Sequence, residues 1–223
     1  PIMSLSYTSQ QITIYIGISF WVAGVIGNGM NVLVFSSVRT YRKTPCTFYF
    51  LVASVTNIMF LTVSLTSRIA STGFAVDLTR ASVIWCKMRL YLIGVLSLMS
   101  FMSSCLATMD QFFATSQNAH LRRCSNIKWA HTIAVIVMVV CSLHAVPCFI
   151  YVDILPITNV CAVTSNAYSV YLTFYTLGLT TTIPVAIMTV FGYLTYRHLH
   201  LTTVLIRQNA DRQLTQMSIF QVI

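Results

Sequence analysis

Five long stretches of this chain carry no formal charge except at their ends, and that fact limits the possible folds more than any other. They cover about 12–36, 48–68, 86–112, 129–152 and 168–196, with Arg68, Lys87, Arg89 and Asp110 as the only charges at their margins. A helix that crosses a bilayer needs about 20 mostly apolar residues. In hydrocarbon its backbone must satisfy its own hydrogen bonds, so each stretch reads as a spanning helix. A further apolar segment, 213–223, reads as the first half of a sixth span. The first stretch is not a secretory signal, because no basic segment precedes it and its apolar core is too long.

Composition agrees. Apolar residues make up 57% of the 223 and charged residues 8%, against about 25% charged in a soluble domain. Mean hydropathy is +0.78. A soluble enzyme, a disordered tail and a secreted disulfide scaffold are all disfavoured, and an all-α, multi-pass transmembrane bundle embedded in a lipid bilayer is predicted. The net charge of +9 raises the question of nucleic acid, but no DNA or RNA module matches. The cations instead fall in the short polar gaps between spans.

Those gaps give an orientation. Arg39, Arg42 and Lys43 follow the first span, Arg122, Arg123 and Lys128 the third, and Arg197, Arg207 and Arg212 the fifth. Cationic loops stay on the cytoplasmic side. The other side holds Arg80, Lys87 and Arg89, partly offset by Asp77, and the gap from Asp153 to Asn166 has no Lys or Arg. The expected topology is therefore a plasma-membrane protein with its N-terminus extracellular.

Seven cysteines are scattered without a C-x-x-C pair or a Cys/His cluster, so no metal site and no cofactor is predicted. Cys86 and Cys161 fall on the expected outer side, where an oxidising exterior lets two thiols persist as a disulfide. Such a bridge would pin the fourth-to-fifth loop onto the top of the third span; the alternative is two unrelated outer thiols. Cys46 and Cys124 face the reducing side, free or as palmitoylation sites. Asp110 stands 24 residues after Cys86, a rise of about 36 Å, slightly more than the hydrocarbon thickness of about 30 Å. An acid at that depth is either functional or an interfacial residue that ends the span.

Taken together, Gly27-Asn28, Cys86, Asp110-Gln111-Phe112, Cys161 and Pro184 resemble, in order and spacing, the rhodopsin-like family of G-protein-coupled receptors. Within it, the runs Gly27–Leu33 and Thr44–Phe50 are most similar to invertebrate peptide receptors of the FMRFamide-receptor type. The resemblance implies an incomplete seven-helix receptor bundle, with an extracellular ligand of peptide type and a heterotrimeric G protein as partners. It also implies coupling through Asp110, Gln111 and Phe112. The family's usual Asp-Arg-Tyr is Asp110-Gln111-Phe112 here, and Gln111 cannot form the ion pair that an arginine makes. The departure counts against efficient or ligand-controlled coupling. Asn57 stands for the family's sodium-binding aspartate near Asn28, and an amide is a weaker hard-cation ligand than a carboxylate. The mid-helix-four tryptophan is absent from Val135–Val140, Trp129 lies at the membrane edge, and Gly192 replaces a tyrosine beyond Pro184. The chain stops at Ile223, before the family's helix-six and helix-seven signatures. It is accordingly read as a fragment of a gene product, the alternative being a naturally truncated form, and as unable to signal alone; agonist-driven GTP exchange by these 223 residues on their own would refute that.

For the ligand, Ile93 occupies the place of the amine receptors' aspartate, which argues against a cationic amine. Arg68, Arg89, Tyr171 and Tyr175 are the outer-half candidates, with Arg68 either snorkelling to headgroups or meeting an acidic group. Thr180 to Thr182 precede Pro184 and offer hydroxyls to carbonyls freed by the proline, making a kink there structural first and a hinge second. An intramembrane enzyme is rejected: Gly17-Ile18-Ser19 lacks a closing glycine, and His144 stands alone, a placement that usually means a bond to a backbone carbonyl. A transporter or channel subunit is the other alternative, but no repeat with matched broken helices is present.

Overall fold

The computed structural model describes residues 2–38, 44–116, 118–156 and 159–200, with the backbone alone for 2–6. The cations at 39, 42, 43, 207 and 212 and the segment 213–223 lie outside the described residues.

Among the described residues, five helices are long and apolar enough to cross a membrane: Tyr7–Ser37, Pro45–Gly73, Val83–Thr115, Ile127–Tyr151 and Asn166–His200. The first belongs to α1 (Ile2–Ser37), which begins about ten residues earlier than the apolar stretch at 12 suggests. Its opening turns hold Ser, Tyr, Thr and Gln but neither glycine nor proline, so nothing there breaks a helix. α2 (Pro45–Arg68) starts on a proline at its first position, where the missing N–H costs nothing. It does not stop at Arg68 but runs on through a π-helical turn, Ile69–Gly73.

After a short α3 (Leu78–Ala81) comes α4 (Val83–Thr115), which buries more residues than any other described helix. Ser82 caps it by accepting the Trp85 N–H at 3.3 Å. α5 (Ala119–Cys124) and α6 (Ile127–Ala145) are capped by Asn118 and Asn126 in the same way, a role that short polar side chains fill by accepting the otherwise free first-turn N–H groups.

The fourth apolar stretch does not remain one helix as far as Val152. Pro147 interrupts it, since its ring removes a donor and clashes with the preceding turn. α6 therefore ends at Ala145, α7 (Cys148–Tyr151) is a single turn, and Val152 already belongs to a strand. β1 (Val152–Ile154) pairs antiparallel with β2 (Cys161–Val163), Val152 opposite Val163 and Ile154 opposite Cys161. Asn159, at φ 50°, takes the left-handed conformation that asparagine tolerates. Its N–H closes the turn on the Leu155 carbonyl at 2.8 Å. α8 (Asn166–Phe174) then leads into a π-helical segment, Tyr175–Thr182.

Small residues bring the helices together, as in membranes generally, where close backbone approach replaces the hydrophobic drive. A Cβ on Gly24 would come within 2.5 Å of Leu61 Cδ1, and one on Gly73 within 2.8 Å of Ile14 Cγ1. α2, α4 and α6 meet around Cys46, Tyr49, Ala107, Ala130 and Ala134. At the other end of α4, Cys86, Cys148, Val152 and Tyr168 form a second buried cluster. The side chains that α1 and α6 turn away from these contacts are large and apolar, Leu33, Val140 and Leu143 among them, as a lipid-facing surface requires.

Candidate functional site

The two ends of α4 organise everything else. At one end Cys86 is bonded to Cys161, with Cα atoms 5.7 Å apart across 75 residues of sequence. Lys87, next along α4, reaches Asp153 on β1 at 3.4 Å. The hairpin is thus tied to α4 by a covalent bond and an ion pair, while Thr164 fastens its far edge to the Tyr151 carbonyl through both its N–H (2.8 Å) and its hydroxyl (2.9 Å).

Beneath the hairpin lies a cavity of about 100 Å³ between α4, α6–α7 and α8, with Leu90, Gly94 and Cys148 among its lining residues. Its aromatic wall is a run of tyrosines. Tyr168 stacks on Tyr171 at 5.8 Å between ring centroids, and Tyr171 on Tyr175 at 6.3 Å. His144 stacks on Tyr175 at 4.8 Å and shares a hydrogen bond with the Tyr171 hydroxyl, Nε2 to Oη, at 2.9 Å. Its partner is therefore a phenol rather than the expected backbone carbonyl. Of the sequence candidates for ligand contact, Tyr171 and Tyr175 line this cavity and Arg68, Arg89 and Ile93 do not. Arg89 instead donates from Nε to Ser67 Oγ on α2 at 2.6 Å, and Arg68 is exposed at the end of α2. His144, Cys148 and Tyr168 were missed. The tyrosines, three and four residues apart, carry the face signal of a helix; nothing in the sequence marks Cys148.

In the middle of the bundle Asn57 links three helices. Its Oδ1 accepts the Ser100 hydroxyl at 2.6 Å, and its Nδ2 donates to Asn28 Oδ1 at 3.3 Å. Each of these two amide oxygens accepts one hydrogen bond, and no carboxylate, the stronger ligand for a hard cation, joins the cluster among the described residues.

At the far end of α4, Asp110 is buried. Its carboxylate is approached by the Ser125 hydroxyl and by the backbone N–H of Cys46, the second residue of α2, while Oδ2 has no hydrogen-bond partner among the described residues. A carboxylate here complements the free N–H groups and positive end of α2. Gln111 interacts with the Cys46 side chain, so both polar residues of the Asp-Gln-Phe triplet turn toward the start of α2. Phe112 turns the other way, edge-on to Phe191 at 5.4 Å and stacked on His198 at 5.2 Å.

The fifth span carries the remaining candidate. Pro184 is fully buried, and its carbonyl accepts from Cys105 Sγ at 3.7 Å. The threonine hydroxyls before it bond carbonyls further back than expected: Thr180 and Thr181 reach Thr176, and Thr182 reaches Leu177 at 2.6 Å. They support the π-helical segment rather than the proline's own missing bond.

Among the described residues, no group of three or more His, Cys, Asp or Glu side chains could hold a metal ion. No curated protein matches the chain. A family model described as seven-transmembrane receptor (rhodopsin family) matches residues 27–223. That match, carried on five membrane-length helices with a disulfide joining the third to the following hairpin, means that the chain belongs to the rhodopsin family of seven-transmembrane receptors.

Proposed function

We propose that the chain is the ligand-binding and transducing part of a plasma-membrane receptor with its N-terminus outside, that its ligand is a peptide, and that its partner inside is a heterotrimeric G protein. The observation that carries this reading is the division of labour along α4. One end is covalently tied to the hairpin roofing a cavity, and the other presents Asp110, Gln111 and Phe112 to the starts and ends of neighbouring helices. A ligand that binds one bundle arrangement better than another shifts its population, and a rigid α4 connects the two faces. The loops of the Cys86 end carry few uncompensated cations, which supports placing that end outside.

The peptide reading rests on two features. Ile93 supplies no acid for an amine. Arg89, held at Nε by Ser67, leaves the other nitrogens of its guanidinium to receive a carboxylate or amide oxygen. Gln111 sets the coupling strength, because a neutral amide cannot replace a guanidinium in an ion pair.

The test is GTP exchange on purified G-protein heterotrimers, with the receptor expressed from its own full reading frame in nanodiscs and challenged with a panel of C-terminally amidated peptides. At least one peptide is expected to raise exchange, and Gln111→Arg to raise it further. No response to any peptide, with Gln111→Arg equally silent, overturns the reading.

A further inference from the structure

We infer that Ser125, at the junction of α5 and α6, is a phosphorylation site for an arginine-directed serine kinase, and that its phosphate frees this junction from Asp110 and uncovers the start of α2. The inference takes from the receptor reading only that this end of α4 faces the cytosol, where ATP is present.

Three observations carry it. The first is sequence. Arg122-Arg123-Cys124-Ser125 places guanidinium groups two and three residues before a hydroxyl, and no other Ser or Thr of the 223 residues has both. A kinase whose peptide groove carries carboxylates there reads such a pair through charge-assisted, bidentate hydrogen bonds. The second is access. No residue of α5 is buried, both arginines are exposed, and no ion pair occupies them among the described residues. Kinases take their substrates as extended chain. With six residues, α5 is far shorter than the roughly 12–15 at which an isolated helix is even marginal in water, so little opposes its unwinding. The third is the contact that the hydroxyl makes. Ser125 approaches the Asp110 carboxylate, which also takes the Cys46 N–H. Ile127, two residues on, packs against the cluster of Cys46, Tyr49 and Ala130. The junction therefore lies over the first turn of α2, with Ser125 as its polar attachment.

The reaction passes the γ-phosphoryl group of MgATP to Ser125 Oγ. An ester P–O bond forms as the bond to the β-phosphate oxygen breaks, ADP leaves, and the hydroxyl proton goes to solvent. The product has no O–H to donate to Asp110 and brings a charge of about −1.5 to −2 beside a carboxylate, a disruptive placement. Arg122, Arg123 and Lys128, close in sequence and without an ion pair among the described residues, can receive the phosphate once it has left.

The test uses the receptor expressed from its full reading frame in nanodiscs, with MgATP and the catalytic subunit of cyclic-AMP-dependent kinase. Peptide-mapping mass spectrometry reads Ser125. N-Ethylmaleimide then reads alkylation of Cys46 against Cys105, both free and buried, Cys105 lying beside the Pro184 carbonyl at 3.7 Å. Ser125 is expected to be modified, and a double Arg122→Gln, Arg123→Gln variant to be modified at least about tenfold more slowly, as the loss of charge-assisted hydrogen bonds implies. Phosphorylation is expected to speed Cys46 alkylation at least about threefold, with Cys105 unchanged. Phosphatase should restore the original rate, and in Ser125→Ala the kinase should have no effect. A Ser125 that stays unmodified overturns the inference, as does a double variant modified just as fast. So does a phosphorylated receptor whose Cys46 rate is unchanged, or whose Cys46 and Cys105 rates rise equally. The kinase and phosphatase measurements stand on the unsubstituted receptor even if a variant misfolds. Both faces of a nanodisc are open to the kinase and no step needs GTP exchange, so a silent exchange assay leaves these results untouched and the two readings fail separately.

Discussion

Replacing Cys86 and Cys161 together by alanine removes the bond between α4 and the hairpin without burying a new hydroxyl. The bridge closes 75 residues, and a fully flexible loop of that length corresponds to about 4.5 kcal/mol in the chain-entropy model. That figure is an upper bound, because α4 and α6 remain inserted when the membrane protein unfolds. The slack that matters is then confined to the segment between α6 and Cys161, and a flexible length of about 15 residues gives about 3 kcal/mol. The Lys87–Asp153 pair survives the substitution but, being solvent-accessible, contributes only about 0–1 kcal/mol.

A loss of about 3 kcal/mol lowers the unfolding midpoint of a chain this size by about 6–12 °C. The assay is heating in detergent with a thiol-reactive fluorophore that reports exposure of buried Cys105 and Cys141. A fall of under about 3 °C, equivalent to roughly 1 kcal/mol, would mean that the hairpin is held by its noncovalent contacts and that the reasoning is wrong.

Two further outcomes are expected. Asp110→Asn keeps the size of the side chain but removes the charge at the start of α2. It should lower stability by about 1 kcal/mol and speed alkylation of Cys46; an unchanged midpoint with an unchanged alkylation rate contradicts the assigned role. At the other end, the Thr79 side chain, ahead of its N–H and Arg80, holds the Asp77 carboxyl below the usual carboxylate range, and the Ile154 N–H does the same for Asp153, with help from Lys87. Groups whose pKa is depressed on folding stabilise above their unfolded value, about 3.9 for Asp, and lose that contribution as pH falls through the folded one. The midpoint should therefore be insensitive to these groups from pH 7 to about 5 and decline below about 4. A double Asp77→Asn, Asp153→Asn variant that declines just as steeply would show that other groups are responsible.

The spans were legible because lipid imposes one simple demand, an uninterrupted apolar length, and the five stretches meet it. Their ends were less legible, since polarity alone does not stop a helix. α1 starts at Ile2 through Ser and Thr residues, and α2 passes Arg68 because a terminal arginine can reach water from a helix that continues. Pro147 was visible in the sequence, but the apolar run around it masked its effect, and the strand at Val152 went unread. Of the site, the bridge between Cys86 and Cys161 could be anticipated from sidedness, whereas Asn57 was singled out only by the family resemblance. The cavity could not. It depends on α6–α7 and α8 meeting beside Gly94, and pairings between distant helices leave no periodic trace in either one.

The π-helical segment Tyr175–Thr182 has a consequence for the way the fifth span presents its two halves. Widening a helical stretch this way accommodates extra residue, and each residue corresponds to about 100° of rotation. Tyr171 and Phe191 therefore belong to separate angular phases of one rod, and a single wheel drawn through both would assign one of them to the wrong side. The rod works as two screws of one pitch joined out of phase, so a contact stripe on its upper half does not continue down the same side of its lower half.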